Sequence, residues 1–307
     1  MKLLVTGGGG FIGSHLTARL LALGHEVRVL DNFETGRRQN LSGFDGVEVI
    51  EGDLLDPPTL AHAMNGIEGV FHMAALPSVP RSWSDPVGSL RANAMGTAAV
   101  ARAATRACVA SLIYSSSSSV YGDQPGDYRS EQMEPLPISP YGCSKLLGEE
   151  IALAHARPGG LRVLALRYFN VFGPRQDPNS QYSAVIPKFI TAALRGEAVV
   201  IYGDGKQSRD FTPVGNVVEA NLLALQSKAG GQSLNIACGR SISLLQLVEA
   251  ISQLNGRSLE VTHEESRAGD IVHSRADCAL AGRLIGYLPL IDFEAGLRMT
   301  FEHYVEN

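Results

Sequence analysis

Short apolar runs that suit β-strands recur along the first half of the chain, and stretches with helical spacing of apolar residues separate them. The strand-like runs lie at 1–5, 26–30, 47–50, 69–73, 111–114 and 161–166. The helical stretches include 14–23, 59–64, 86–107 and 141–156. Regular alternation of the two patterns predicts an α/β fold with a doubly wound parallel sheet. We expect its ligands to bind at the carboxyl ends of the strands.

The regular alternation stops near residue 170, where longer loops rich in glycine, proline and polar residues begin, at 173–179 and 203–210. Loops of this kind often carry binding residues. We therefore predict a first domain over 1–170 and a smaller C-terminal α/β lobe, mainly over 171–307, that binds and closes over the substrate. Some segments of the second part are expected to return to the first domain.

A glycine-rich turn joins the first predicted strand to the first predicted helix. Gly7, Gly10 and Gly13 are spaced as G-x-x-G-x-x-G within this turn. Such glycines permit a tight turn, let the backbone approach a pyrophosphate and bring helix and strand close together. The following helix offers free N–H groups and a positive dipole end. The turn predicts a Rossmann-type domain that binds a dinucleotide.

An acidic residue ends the second predicted strand. Asp31 lies roughly 20 residues beyond the glycine turn, where this fold places a carboxylate that binds the adenosine ribose. A carboxylate there repels a 2′-phosphate, so we predict NAD rather than NADP, although Arg37 and Arg38 follow closely. Asp53 follows another strand and either contacts the adenine or caps the helix that starts near Pro57.

Composition excludes several classes of function. The 307 residues are 45% hydrophobic and carry a net charge of −5, which gives no electrostatic footprint for nucleic acid. No apolar run is long enough to span a bilayer. The 4 cysteines are scattered without the spacing of metal ligands, so we expect no metal site, reduced thiols and a cytoplasmic location.

A tyrosine and a lysine lie one helical turn apart in the run Ser139-Pro-Tyr-Gly-Cys-Ser-Lys145. Tyr141 is a poor base at its usual pKa of about 10. The positive charge of Lys145 on the same helix face favours the phenolate, which can then accept a proton from an alcohol. A serine run that includes Ser117 continues the predicted strand at 111–114. Its carboxyl end can meet Tyr141, and a serine hydroxyl can bridge the tyrosine and the substrate.

These motifs together resemble the extended short-chain dehydrogenase/reductases and, within them, the nucleotide-sugar 4-epimerases. The resemblance covers nearly the whole chain and includes runs at 72–75, 115–122, 167–170, 208–211 and 267–270. It implies that Tyr141 is the catalytic base, that Lys145 holds Tyr141 and the nicotinamide ribose, and that Ser117 completes the catalytic set. It also implies tightly bound NAD as the cofactor.

The resemblance further assigns two sets of contacts. Those predicted for the cofactor are Gly7, Gly10, Phe11, Ile12, Gly13, Asp31, Asn32, Asp53, Leu54, Ala74, Asn93, Ser115, Tyr141, Lys145 and Tyr168. Those predicted for the nucleotide sugar are Ser78, Arg81, Ser117, Tyr141, Asn170, Arg175, Val185, Tyr202, Arg209, Arg267 and Ser274. Among these, Asn170, Arg209 and Arg267 are expected at the diphosphate, with the arginines suited to bidentate contacts. Tyr202 is expected to stack on uracil, and the backbone of Val185 to contact the base.

Two of these residues have alternative interpretations. Arg209 could instead form a surface or interface ion pair, and Asn93 could be a helix cap.

Related 4,6-dehydratases and uridine diphosphate glucuronate decarboxylases begin with the same oxidation at C4. The dehydratases carry an Asp-Glu pair in the serine loop, and the decarboxylases usually carry a Glu there. This chain has Ser118 and Ser119 at those positions. Epimerisation needs no such carboxylate, because the 4-keto sugar only turns over in the pocket before it is reduced again. We therefore predict a 4-epimerase rather than these enzymes or a catalytically silent NAD-binding regulator.

The identity of the sugar is predicted less directly. Ser274 matches a family position where a small side chain admits an N-acetyl group. Arg81 and Arg175 could pair with the carboxylate of a glucuronate, or could form structural ion pairs. We predict a uridine diphosphate (UDP) hexose of the glucose/galactose type, with N-acetylhexosamine and glucuronic acid forms as alternatives. The family also forms homodimers, for which we predict helices at 86–107 and 141–156.

Overall fold

A computed structural model describes residues 1–126, 128–156, 160–178, 184–265 and 273–306 of the chain. Its strands are β1 Lys2–Thr6, β2 Glu26–Asp31, β3 Glu48–Glu51, β4 Gly69–His72, β5 Ser111–Ser117, β6 Arg162–Tyr168, β7 Val171–Phe172, β8 Val199–Tyr202, β9 Ser208–Arg209, β10 Thr212–Pro213, β11 Gln232–Ile236, β12 Ile242–Ser243 and β13 Val261–Glu264.

Its helices are α1 Phe11–Ala22, α2 Pro57–Met64, α3 Val79–Ser84, α4 Pro86–Leu90, α5 Gly96–Arg106, α6 Pro140–Ala154, α7 Val185–Arg195, α8 Val214–Gln226, α9 Leu244–Asn255, α10 Ala279–Ile285 and α11 Phe293–Glu306. Short 3-10 turns lie at Arg38–Leu41 and Ser118–Val120, and a π turn lies at Arg91–Met95.

A seven-stranded parallel sheet in the order β11-β6-β5-β4-β1-β2-β3 forms the centre of the molecule. The predicted fold class is therefore confirmed. Successive side chains in each strand point to opposite faces. In β1, Leu3 and Val5 join the hydrophobic cluster under α1 and α8, whereas Leu4 joins the cluster under α2 and α5. Both faces of the sheet are thus covered by helices.

The strand order reverses between β1 and β4, because the chain continues outward to β2 and β3 on one side and to β5 and β6 on the other. A reversal of this kind opens a crevice outside the carboxyl ends of the strands, where open α/β sheets bind ligands. The glycine turn follows β1 and the serine run ends β5, so the fold brings both motifs to this edge.

The chain also contributes a smaller unit beside the sheet. It contains the parallel pair β8 and β13, with α7, α9 and α11 packed around a separate hydrophobic core. Phe172, Phe211 and Phe293 pack against one another within this core, with ring centroids 5.9–6.3 Å apart. Between these elements the chain returns to the large sheet, where α8 packs on α1 and β11 pairs with β6.

One predicted helix is interrupted. The stretch at 86–107 forms α4, the π turn and α5 instead of a continuous α-helix. The π turn contains Asn93, whose buried side chain accepts the N–H of Leu76 at 2.7 Å and donates to Ser144 at 2.9 Å. The interruption therefore places a polar side chain between two neighbouring segments, which helical spacing alone does not reveal.

Candidate active site

The glycine turn is shaped by close approaches of the backbone. Gly7 has a φ of +71°, and a Cβ on it would lie 2.6 Å from the backbone nitrogen of Ala74. A Cβ on Gly13 would lie only 2.1 Å from the carbonyl oxygen of Gly7. These positions accept only glycine without movement of the backbone. The turn and the start of α1 therefore have the close backbone packing that the predicted pyrophosphate site requires.

A crevice of about 970 Å³ opens beside this turn. Its volume lies at the upper end of the roughly 300–1,000 Å³ that ligand pockets span. Every residue predicted to contact the cofactor lines this crevice except Asn93. These residues are Gly7, Gly10, Phe11, Ile12, Gly13, Asp31, Asn32, Asp53, Leu54, Ala74, Ser115, Tyr141, Lys145 and Tyr168. The residues present therefore fit a dinucleotide.

Asp31 lies at the end of β2, beside the glycine turn. Its two carboxylate oxygens accept the backbone N–H groups of Gly9 and Phe33, each at 2.8 Å. Burial raises the pKa of Asp31, and these two hydrogen bonds oppose that shift. The carboxylate is thus held in place at the position where the fold binds an adenosine ribose.

The two arginines that follow Asp31 are both engaged in ion pairs. Arg37 contacts Asp177 at 2.6 Å, and Arg38 contacts Glu51 and lies over the ring of Phe33. A 2′-phosphate would have to compete with these carboxylates for the guanidinium groups. The arrangement therefore favours NAD, in agreement with the choice made from Asp31.

The structure resolves the alternative interpretations of Asp53 and Asn93 as helix caps. The side chain of Asp56 accepts the N–H of Thr59 and caps α2, so Asp53 is not the helix cap. Asp53 lines the crevice instead. Asn93 is not a cap either, because it lies within the π turn. It does not line the crevice but holds Leu76, which does.

Ser117, Tyr141 and Lys145 meet at the wall of the same crevice. Ser117 is the last residue of β5, and Tyr141 lies in the first turn of α6. The hydroxyl of Ser139 caps this helix by accepting the N–H of Gly142 at 3.1 Å. Gly142 lets the helix approach the serine loop, since a Cβ there would lie 2.7 Å from the carbonyl oxygen of Ser119.

Burial dominates the electrostatics of this group. It lowers the pKa of Lys145 to about 7, with Glu149 opposing the shift. It raises the pKa of Tyr141, and a hydrogen bond with Ser117 opposes that shift. Burial therefore outweighs any effect of Lys145 on the pKa of Tyr141 in this structure. Burial disfavours the charged form of both groups, and Lys145 lies over the ring of Tyr114 at 4.5 Å.

The residues predicted for the substrate fall into three groups. Ser78, Arg81, Ser117, Tyr141, Asn170 and Arg175 line the crevice. Val185, Tyr202, Arg209 and Ser274 lie in or beside the smaller unit and do not line it, although Ala184, the neighbour of Val185, does. Arg267 lies outside the described residues.

Arg81 and Arg175 both have protein contacts. Arg81 forms an ion pair with Glu34, which supports the structural alternative for this residue. Arg175, at a φ of +64°, reaches Ser14 of α1 at 3.4 Å and lies over the ring of Phe44. It therefore lies against the helix that follows the glycine turn.

Several residues that line the crevice were not predicted. Met73, Ala75, Leu76 and Pro77 follow β4, and Gln176 and Asp177 follow β7. The segment after β4 could have been found from the rule that ligands bind at the carboxyl ends of parallel strands, because β4 lies at the reversal of strand order. Gln176 and Asp177 lie in the loop at 173–179 that the sequence marked as a possible binding loop, but no signal singled out these two residues.

The fold and the crevice together define a dinucleotide-binding enzyme of the short-chain dehydrogenase/reductase type. Comparison with known proteins identifies the family. A model of the NAD dependent epimerase/dehydratase family matches residues 3–237. The chain belongs to this family, and its cofactor is NAD, as the sequence predicted.

Three similar proteins bear on the reaction. A UDP-glucose 4-epimerase from Mycolicibacterium smegmatis is 37% identical over 99% of this chain and 98% of its own length. The structure of a UDP-N-acetylglucosamine 4-epimerase from Methanobrevibacter ruminantium, in complex with UDP-N-acetylmuramic acid, is 40% identical. It has a TM-score of 0.94 and covers 99% of this chain and 98% of that one. A UDP-glucuronic acid decarboxylase from Xenopus tropicalis is 33% identical over 99% of this chain and 72% of its own length.

Proposed function

We propose that the protein is an NAD-dependent UDP-sugar 4-epimerase, an isomerase. The observation that carries the proposal is the meeting of Ser117, Tyr141 and Lys145 at the wall of the crevice that also holds the glycine turn. Relatives with 37% and 40% identity are named as 4-epimerases of UDP-glucose and UDP-N-acetylglucosamine. UDP is therefore the nucleotide we propose.

The serine loop favours epimerisation over decarboxylation. Ser118 and Ser119 line the crevice directly after Ser117, and the N–H of Ser119 donates to the Ser117 hydroxyl at 3.1 Å. Neither residue can supply the carboxylate that the resemblance places here in dehydratases and in most decarboxylases. The decarboxylase from Xenopus tropicalis is nevertheless similar enough that decarboxylation is the reaction to test against.

The chain's own residues would remove one proton from the sugar and later return it. Tyr141 takes the proton from the hydroxyl at C4 and later returns it, and the Ser117 hydroxyl bridges the tyrosine and the sugar oxygen. Lys145 supports the phenolate form of Tyr141 when it carries a positive charge. NAD, when bound, supplies the acceptor and donor of the C4 hydride. Lys145 is buried, and Tyr141 is half-buried at the wall of the crevice, where its hydroxyl can reach a bound sugar.

For the sugar we propose glucose/galactose first, with N-acetylhexosamine as the second candidate. The second candidate is supported by the small side chain of Ser274 and by the N-acetylglucosamine enzyme, which is 40% identical. Glucuronic acid is less favoured, because Arg81 is paired with Glu34 and Arg175 lies against α1. Asn170, Tyr202, Arg209 and Arg267 are proposed to bind the nucleotide.

The direct test incubates the purified protein with UDP-glucose, UDP-N-acetylglucosamine and UDP-glucuronic acid in separate reactions, with NMR detection of the products. The expected result is the C4 epimer of at least one sugar. Release of carbon dioxide or water without an epimer would contradict the proposal and would identify the protein as a decarboxylase or a dehydratase.

Tyr141→Phe separates catalysis from silent cofactor binding. The variant loses the hydroxyl that exchanges the proton, so we expect at least about a hundredfold loss of kcat. The ring remains, so NAD content after purification and the thermal midpoint are expected to match those of the wild type. Epimerisation at an unchanged rate would remove Tyr141 from the mechanism.

We further propose a cytoplasmic homodimer. Its support is a row of exposed apolar side chains on neighbouring elements, namely Trp83 on α3, Val87 on α4, Met95 in the π turn and Leu147 on α6. Such a cluster is typical of an interaction surface. The 4 cysteines are free, which fits a reducing compartment. Sedimentation of the wild type and of Val87→Glu would test the dimer, because a buried charge there separates the subunits.

A further inference from the structure

A carboxylate is buried in α6 one turn beyond Lys145. The side chain of Glu149 is only 1% exposed. Its oxygens accept hydrogen bonds from Ser116 of β5 at 2.5 Å, from Ser233 of β11 at 2.6 Å and from the Nε of Arg167 in β6 at 3.1 Å. Groups from three adjacent strands of the sheet therefore converge on one acid, which the mechanism above does not use.

This carboxylate is connected to both halves of the catalytic group. Ser116 is the residue before Ser117 in β5, so its hydrogen bond to Glu149 ties the end of that strand to α6. Lys145 lies four residues before Glu149 on the same face of α6, and both side chains are buried. Glu149 thus contacts β5, which carries Ser117, and lies on the same face of α6 as Lys145.

The groups around Lys145 show why an anion is needed there. Its ammonium lies over the ring of Tyr114, a phenol whose pKa burial raises well above the usual value. Tyr141 is a second, half-buried phenol whose pKa is also raised. His72, from β4, is buried, and its pKa falls to about 3, so it is neutral. Arg167, beyond Glu149, is a cation. Among these groups, Glu149 is the one that favours the ammonium form.

We infer that Glu149 is a positioning residue for the reaction. Its negative charge favours the ammonium form of Lys145, and its hydrogen bond to Ser116 fixes the strand that carries Ser117. The inference rests on the proposed function only in requiring a charged Lys145 beside Tyr141.

The test compares pH profiles of kcat for the NAD-loaded enzyme. In Glu149→Gln the alkaline limb, where Lys145 loses its proton, is expected to move to lower pH by about one unit. Activity on the alkaline side of the optimum then falls about tenfold relative to wild type, because each pKa unit is a tenfold change in the charged fraction. Glu149→Asp keeps the charge and should restore the position of this limb even where it lowers kcat.

Ser233→Ala is the matched control for a merely structural role. It removes one hydrogen bond from the same carboxylate and leaves the charge, so the thermal midpoint falls while the alkaline limb stays in place. An alkaline limb in Glu149→Gln at the wild-type position would overturn the inference.

Loss of the carboxylate leaves the Arg167 cation buried without its partner, which can prevent folding. The double variant Glu149→Gln with Arg167→Met removes both buried charges and is expected to fold. Its alkaline limb must also lie at lower pH.

A second readout needs no activity. The NMR signal of the Lys145 side chain, assigned by comparison with Lys145→Arg, is expected to titrate at lower pH in both proteins that lack the carboxylate than in wild type. An unchanged titration contradicts the inference. A wild type with this titration that epimerises none of the sugars contradicts the proposed function instead.

Discussion

Gly13 is the position of the glycine turn where one added methyl group has the least room. In Gly13→Ala the new Cβ would lie 2.1 Å from the carbonyl oxygen of Gly7 and 2.9 Å from its carbonyl carbon. A carbon–oxygen contact needs at least about 3.3 Å, so α1 and the turn must separate by about 1.2 Å. The cradle for the pyrophosphate then opens, and both folding and cofactor binding are affected.

The magnitude follows from two opposing effects. Forcing a methyl group into closely packed backbone costs about 1–3 kcal/mol. Replacing glycine by alanine inside a helix gains about 0.5–1 kcal/mol. The central values leave a net loss of about 1.3 kcal/mol, which lowers the thermal midpoint by about 3–5 °C. The content of NAD after gel filtration is expected to fall well below that of the wild type.

Gly282→Ala is the matched control for this experiment. Gly282 also lies in a helix, α10, but a Cβ there would lie 3.5 Å from the nearest oxygen, that of Tyr287. This variant is expected to melt at or above the wild-type temperature and to retain NAD. Circular dichroism melting and quantification of released nucleotide check both variants. Wild-type NAD content and melting temperature in Gly13→Ala would refute the proposed cradle.

Two further predictions concern buried polar groups. The pKa of His72 falls to about 3 in the folded chain, so its contribution to stability is complete above pH 6.5 and is lost as the pH falls. Urea unfolding should show a loss of about 2–3 kcal/mol in the free energy of unfolding between pH 6.5 and 4.5, and His72→Asn should abolish this loss. An equal loss in the variant would contradict its attribution to His72. Asp210 accepts the N–H groups of Cys238 and Ala276 at 3.0 and 3.1 Å. Asp210→Asn turns one acceptor into a donor, so we expect about 1–3 kcal/mol of lost stability and a rise in the KM for the UDP-sugar that exceeds any fall in kcat. The rise in KM is expected because Asp210 directly follows Arg209, which is proposed to bind the nucleotide. An unchanged KM would show that Asp210 does not help to place Arg209.

The cofactor side of the site could be predicted from the sequence because its residues follow local rules. A glycine turn after β1, an acid at the end of β2 and a helix with tyrosine and lysine one turn apart each require particular residues at fixed spacing. The strand order then brings them to one edge of the sheet. Asn93 is the exception, because a π turn inserts it between two segments that are distant in sequence.

The positions of the residues on the substrate side were harder to predict from the sequence. Arg81 and Arg175 were assigned either to a sugar carboxylate or to structural pairs, and their contacts with Glu34 and Ser14 depend on how loops from separate parts of the chain meet. Residues such as Tyr202 and Arg209 lie on short strands of the smaller unit, whose pairing has no strong pattern in the sequence. Tertiary contacts rather than local spacing decide where these side chains lie.

The pKa values around α6 extend this distinction to chemistry. The spacing of Tyr141 and Lys145 suggested that the lysine alone makes the tyrosine basic. Burial, however, raises the pKa of Tyr141 and lowers that of Lys145, so it disfavours the charged form of each group. A buried pair of this kind needs a further charge, and the acid that can supply it comes one turn later on the same helix. Glu149 is held there by side chains from β5, β6 and β11. The spacing of the motif therefore predicts which residues meet but not their protonation, which depends on the burial and charges that the surrounding sheet supplies.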